Sequence, residues 1–160
     1  MSTDKKAMFK SRLAESRNEL LELLNALSEE QLTTPVITDG NTWTPLDVVT
    51  HLAENERGMS IHVYKVRNGR ETVPETFKIN DWNAGLKERM GPHSREELIA
   101  LLNENRDQTL SGLESLEDHE WELTGRHPVQ GIITIEQYFE TIISHDEEHT
   151  ADIRKGLGLA

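Results

Sequence analysis

The segment Ser144-His145-Asp146-Glu147-Glu148-His149 sets two histidines four residues apart. In a helix that spacing is about 6 Å of rise and little more than one turn, so both imidazoles leave one face at a separation suited to a single metal ion. Ile135, Tyr138 and Ile142 precede the pair and Ile153 follows it. The histidines therefore occupy positions where the helical period calls for apolar side chains. Two readings account for them: ligation of a divalent cation, or core histidines satisfied by buried hydrogen bonds. A third inward histidine would favour the cation. His51 is that candidate, in Trp43-Thr44-Pro45-Leu46-Asp47-Val48-Val49-Thr50-His51-Leu52-Ala53. It stands one turn into another helix, beside Val48 and Leu52, and can face the same interior. Three imidazole ligands leave coordination positions open, as in a catalytic zinc site, whereas structural zinc is usually closed by four protein ligands. The same nitrogens suit nickel, iron or manganese.

Two carboxylates are candidate catalytic groups. Asp146 neighbours His145 and can orient an imidazole through its second nitrogen. Glu54 lies one turn beyond His51 and is placed as a general base. For both, a solvated helix face is the alternative, and the run Asp146-Glu147-Glu148 has that character. The spacing also resembles the zincin signature H-E-x-x-H, but Asp146 takes the glutamate position. Only eleven residues follow His149, too few for the usual downstream third ligand, so a metalloprotease is a poor reading. His62, His93, His119 and His127 are lesser candidates. His93 precedes a helix cap and His119 sits in an acidic turn, whereas His127 leads towards the last helix and could approach a pocket, although loop histidines are common. Trp43 and Trp82 fit either pocket walls or core anchors.

The bulk of the chain narrows the chemistry. Its 160 residues suffice for one domain, 1–160, with a substantial core. A net charge of −12 with no lysine- or arginine-rich block argues against nucleic acid and anionic membranes as partners. The chain has no cysteine, which excludes disulfides, thiolate zinc sites and an internal sulfur nucleophile. No stretch approaches the ~20 apolar residues of a membrane span, and the N-terminus does not resemble a signal peptide. A cytoplasmic protein is expected.

The elements that must position these residues read as helices. One is expected from Thr3 to Ala26, with Phe9, Leu13, Leu20, Leu24 and Leu27 on one face. Ser28 to Gln31 matches a capping box, but with Pro35 so close only a short turn of helix can form there. Residues 33–42 read as loop, with a turn at Asp39-Gly40-Asn41. Thr44-Pro45-Leu46-Asp47 opens a second long helix that ends near Asn68-Gly69 and carries Val48, Leu52, Asn55, Met59, Val63 and Val66. The connection 69–92 is expected to contain a short helix from Asn80 to Arg89. Capping boxes at Ser94 and Thr134 open the third and fourth long helices, the fourth ending near Gly156. With no strand signal, the expected fold is all-α: an antiparallel four-helix bundle with an extra short helix between its second and third members.

The chain resembles the DinB-like (DinB/YfiT) superfamily over nearly its whole length. The resemblance is sharpest in the motif Trp43 to Ala53 and in His145-Asp146-x-x-His149 followed by Ile153. Asn80-Asp81-Trp82-Asn83 and Arg126-His127-Pro128-Val129-Gln130-Gly131 are similar to the branch containing mycothiol-dependent maleylpyruvate isomerase-type N-terminal domains. The resemblance implies a four-helix bundle with a metal, zinc or nickel, at positions matching His51, His145 and His149. It also implies frequent homodimers and activity as low-molecular-weight thiol S-transferases or hydrolases. Glutamine often stands three residues after the last histidine in that family, whereas this chain has Asp152. If it faces the site, it adds charge and alters hydrogen bonding behind the ligands.

The leading functional expectation is a metal-dependent enzyme that activates water or an external low-molecular-weight thiol for attack on a small electrophile. The alternatives are a metal-stabilised module that binds a small molecule or serves a stress response without turnover, and a dimerisation scaffold with structural histidines.

Overall fold

The computed structural model describes residues 2–38 and 40–159. Four long helices form the body: α1 (Ser2–Ala26), α3 (Pro45–Arg67), α6 (Arg95–Ser115) and α7 (Ile135–Gly156). The short helices α2 (Glu29–Leu32), α4 (Ile79–Ala84) and α5 (Leu86–Met90) lie in the connections. The expected bundle is present. The capping boxes at Ser28, Thr44, Ser94 and Thr134 all form with both reciprocal bonds, so the starts of α2, α3, α6 and α7 are fixed locally by sequence.

Two features correct the sequence expectations. The segment 33–42 is not all loop: β1 (Val36–Thr38) pairs antiparallel with β2 (Asn41–Trp43), Val36 opposite Trp43. A second hairpin joins β3 (Thr124–His127) to β4 (Gly131–Thr134). Asp39, in the expected turn, lies outside the described residues; Gly40 has φ +76°, as a turn residue. The short helix expected over 80–89 is divided at Gly85 into α4 and α5. There Arg89 donates from Nη1 to the Trp82 carbonyl, 2.8 Å away.

The apolar core falls into two clusters. One contains Leu20 and Leu24 of α1, Val48 and Leu52 of α3, Leu98 and Leu102 of α6, and Ile153. The other contains Phe9, Leu13, Met59, Val63, Leu113, Tyr138 and Ile142. Between them along each long helix lies one buried charged residue: Arg17, Glu56, Arg106 and Asp146. Arg106 donates to Glu56 at 2.8 and 2.9 Å and to Asp146 at 2.9 Å. Arg17 donates to Glu56 and, at 3.2 and 3.3 Å, to Asp146. The remaining guanidinium nitrogens reach backbone carbonyls, Arg17 to Leu102 at 3.0 Å and Arg106 to Leu13 at 2.6 Å. Two cations and two anions thus cancel, and each has hydrogen bonds in place of water. Burial pushes the Glu56 pKa up, but Arg106, Arg17 and Thr109 outweigh it and hold it below the ordinary value.

The first hairpin lies against the end of α7. A Cβ on Gly156 would stand 2.4 Å from Val36 Cγ1, so the contact requires glycine. This close approach brings Thr38, the last residue of β1, to the helix that carries His145 and His149.

Candidate metal centre

His51 leaves the second turn of α3, whose start is set by Thr44, Pro45 and Asp47. His145 and His149 lie one turn apart on α7. The three rings converge, with centroids 5.3 Å apart for His51 and His145, 5.0 Å for His51 and His149, and 4.9 Å for His145 and His149. One nitrogen from each can be chosen so that no pair is more than 4.8 Å apart. Nitrogens each about 2.1 Å from one zinc are at most about 4.2 Å apart, so modest ring movements close the set around an ion.

The donor chemistry fits. His51 is 2% exposed, and neither of its ring nitrogens has a hydrogen-bond partner. An imidazole so placed carries an unmet polar demand that a cation would meet. Burial, then the neighbouring histidines, pushes the His51 pKa down to about 2. Burial with His149 and His127 brings His145 down to about 3. Both rings are therefore neutral at physiological pH, the form that ligates. Trp43 packs its ring 5.1 Å from that of His51 and closes the inner side.

His149 is oriented from behind. Its Nδ1 lies 3.1 Å from Asp152 Oδ2 and 3.0 Å from Thr38 Oγ1. Thr38 also donates its hydroxyl proton to Asp152. A carboxylate only accepts, so the shared proton sits on Nδ1 and Nε2 is the nitrogen His149 offers a metal. Asp152 does face the site, through His149.

The two other candidates fall elsewhere. Asp146 is 2% exposed, not solvated, and its oxygens are taken by Arg17 and Arg106. The imidazole-orienting carboxylate is Asp152 instead. Glu54 is held by Arg89 through two hydrogen bonds of 2.6 and 2.7 Å, and Arg89 stacks 3.5 Å over the Trp82 ring. With both oxygens so engaged and outside the cleft lining, Glu54 is not placed as a general base towards the histidines. Of the lesser histidines, His119 is exposed, and His93 lies beside the Gly91 carbonyl. His127 sits on the cleft wall, as its approach to the last helix allowed.

That cleft has a volume of about 1030 Å³ and reaches His51 and His145 from the surface. A family model, that of the DinB superfamily, matches residues 12–153. The chain belongs to the DinB superfamily. Solved structures share its fold. YfiT from Bacillus subtilis, a probable metal-dependent hydrolase with an unusual four-helix bundle topology, aligns with a TM-score of 0.77 at 23% identity over 100% of this chain and 91% of that one. The mycothiol-dependent maleylpyruvate isomerase aligns at 0.69 and 16% identity, over 91% of this chain and 60% of that one. The colibactin self-resistance protein ClbS, solved with double-stranded DNA, aligns at 0.69 and 17%, over 94% of each chain. No curated protein matches this DinB-superfamily chain. No helix among the described residues is long and apolar enough to cross a membrane.

Proposed function

We propose that this DinB-superfamily protein is a metal-dependent enzyme, an S-transferase or hydrolase, acting on a small electrophile in the cleft. The observation that carries the reading is His51: buried and neutral, with both ring nitrogens unpartnered, beside two further imidazoles at the inner end of an open cleft. His51, His145 and His149 would hold the ion, with zinc or nickel the metals that family resemblance favours. A bound divalent ion supplies Lewis acidity, which makes an oxygen or sulfur nucleophile available near neutral pH.

The chain's own groups do the positioning. Burial keeps His51 and His145 unprotonated, Thr38 and Asp152 hold the His149 ring with its proton on Nδ1, and Trp43 shields the inner side from water. Because the chain has no cysteine, a sulfur nucleophile would have to be an external low-molecular-weight thiol. The mycothiol dependence of one structural neighbour and the hydrolase assignment of another support this pair of reactions. Nucleic acid is not the ligand in this reading, despite the DNA complex of ClbS. The chain carries a net charge of −12, and no Lys or Arg is among the described residues lining the cleft. A homodimer in the cytoplasm is the proposed setting.

Elemental analysis of tag-free protein tests the reading, with His149→Ala as matched control. About one zinc or nickel per chain, lost in the variant, is the expected result. Protein that is empty and also refuses added zinc and nickel at neutral pH would overturn it.

A further inference from the structure

Each long helix gives one charged residue to the buried quartet, and their placement along the chain ties the quartet to the histidines. Glu56 stands on α3, five residues after His51, and Asp146 stands on α7 between His145 and His149. The arginines come from the other two helices, Arg17 from α1 and Arg106 from α6. One nitrogen of each arginine spans both carboxylates. Arg106 Nη2 lies 2.9 Å from Glu56 Oε1 and 2.9 Å from Asp146 Oδ2. Arg17 Nη2 donates to Glu56 Oε1 and lies 3.3 Å from Asp146 Oδ1. The two helices that carry the histidines are thus stapled to each other by side chains from the remaining two.

The staple borders the site itself. Glu56, Asp146 and His145 line one small cavity of about 10 Å³, and Asn55 and Met59 line both that cavity and the cleft. A space of that size holds at most about one water, so little slack separates the quartet from a candidate ligand. The rings do not fix their own spacing, because neither nitrogen of His51 bonds to a neighbouring imidazole. Nor does the quartet act on them through charge. After burial, the strongest influences on His51 are His145, His149 and Arg89, and those on His145 are His149 and His127. What the balanced quartet supplies is geometry.

We propose that Arg17, Glu56, Arg106 and Asp146 are positioning residues for the metal centre, holding α3 and α7 at the separation that keeps the three histidines ready for one ion. This rests on the three-histidine metal reading and gives the spacing of the site a cause. The role is separate from stability, which apolar side chains of similar volume would provide as well. Preorganised ligands bind more tightly because the cost of ordering them has been met in folding.

Geometry and charge separate by substitution. Arg106→Lys keeps the charge but replaces the planar fork by a single nitrogen, which cannot span Glu56, Asp146 and the Leu13 carbonyl as the guanidinium does. Leu113→Ala is the control for stability. It opens a cavity in the core cluster of Phe9 and Trp121, not in that of Trp43, which packs on His51. Both variants are measured where circular dichroism shows the metal-free chain folded. Chelator competition reads zinc affinity, and the visible absorption of bound cobalt reads the geometry of the ligand set.

Arg106→Lys should lose about tenfold or more in zinc affinity and shift the cobalt bands. Leu113→Ala should lower the Tm, yet stay within about twofold of the parent in affinity and leave the bands unchanged. Parental affinity and bands in Arg106→Lys would overturn the proposal. An equal loss in Leu113→Ala would overturn it too, since the effect would then belong to stability alone. Should Arg106→Lys not fold, Arg17→Lys loosens the same staple from α1 and is read by the same outcomes. A parent that takes up neither zinc nor cobalt overturns the metal reading, and this proposal with it. A parent that binds both, with variants that bind as it does, overturns only the positioning role.

Discussion

Asp152 Oδ2 lies 3.1 Å from His149 Nδ1, and Thr38 donates to the same carboxylate. This three-residue contact ties the first hairpin to a candidate metal ligand on α7. Groups behind a ligating histidine typically contribute about 10–100-fold to metal affinity by fixing the tautomer and raising ring basicity. Asp152→Ala is expected to weaken zinc binding by about that factor without loss of fold, measured by chelator competition. Asp152→Gln, which supplies the side chain common in the family, should retain most of the affinity through its amide oxygen. If Asp152→Ala binds zinc as the parent does, the carboxylate has no part in orienting His149.

His51 makes a prediction of opposite sign for stability and for metal. Its two buried nitrogens lack protein partners, and an unsatisfied buried polar group costs about 1–3 kcal/mol. Replacing it with leucine removes that penalty in the metal-free protein. His51→Leu should therefore raise the metal-free Tm, by about 1–2 kcal/mol of stability, and abolish the further rise on adding zinc. Calorimetry with and without zinc reads both effects. A drop in the metal-free Tm would mean that the imidazole is satisfied within the fold.

Much of this was legible in the sequence, and the gaps have physical causes. The capping boxes and helical stripes located the four long helices because each signal is local and repeated over several turns. The histidines stood out because they interrupt an apolar period. Arg17, Glu56, Arg106 and Asp146 interrupt their stripes in the same way, but a single charge between leucines also fits a slight rotation of the apolar face. Only the packing of four helices reveals that the charges meet. The hairpins were hidden for another reason. Val36-Ile37-Thr38 and Ile132-Ile133-Thr134 are β-branched runs, yet strands of three or four residues are too short for alternation to register. Thr38 and Asp152 became visible as partners only once β1 was seated on α7.

The buried quartet predicts a sharp asymmetry among substitutions. Removing one charge leaves the others unbalanced, and breaking a buried ion pair in this way costs about 3–5 kcal/mol. Glu56→Gln should fall in that range, read by chemical denaturation. Replacing all four residues by apolar side chains of similar volume should be far less destabilising. The pH dependence follows from the Glu56 pKa lying below its ordinary value of 4.5. A lowered carboxylate pKa means that the unfolded chain binds protons first. The stability from Glu56 is then complete above 4.5 and is lost as pH falls through the lower, folded value. Stability profiles of the parent and Glu56→Gln should converge below that range; parallel profiles there would contradict the role assigned to the carboxylate.

Gly156 tests whether the hairpin is mechanically coupled to the metal site. In an exposed helix interior, Gly→Ala normally stabilises by up to about 1 kcal/mol. Here the added methyl would lie 2.4 Å from Val36 Cγ1 and 2.5 Å from Val36 Cβ, within atoms of a paired strand. Overpacking of this kind typically costs about 1–3 kcal/mol, so the clash outweighs the helix propensity and the sign reverses. Gly156→Ala should therefore lower the Tm, and by displacing β1 it should draw Thr38 away from Asp152 and His149. Zinc affinity should fall even though no ligand and no orienting residue has changed. Combining it with Val36→Gly, which removes both close atoms and leaves Val36 Cα at 3.4 Å, should restore much of that affinity. If Gly156→Ala lowers the Tm but leaves zinc binding intact, the displacement of Val36 is not transmitted to Thr38, and the hairpin supports the end of α7 without positioning His149.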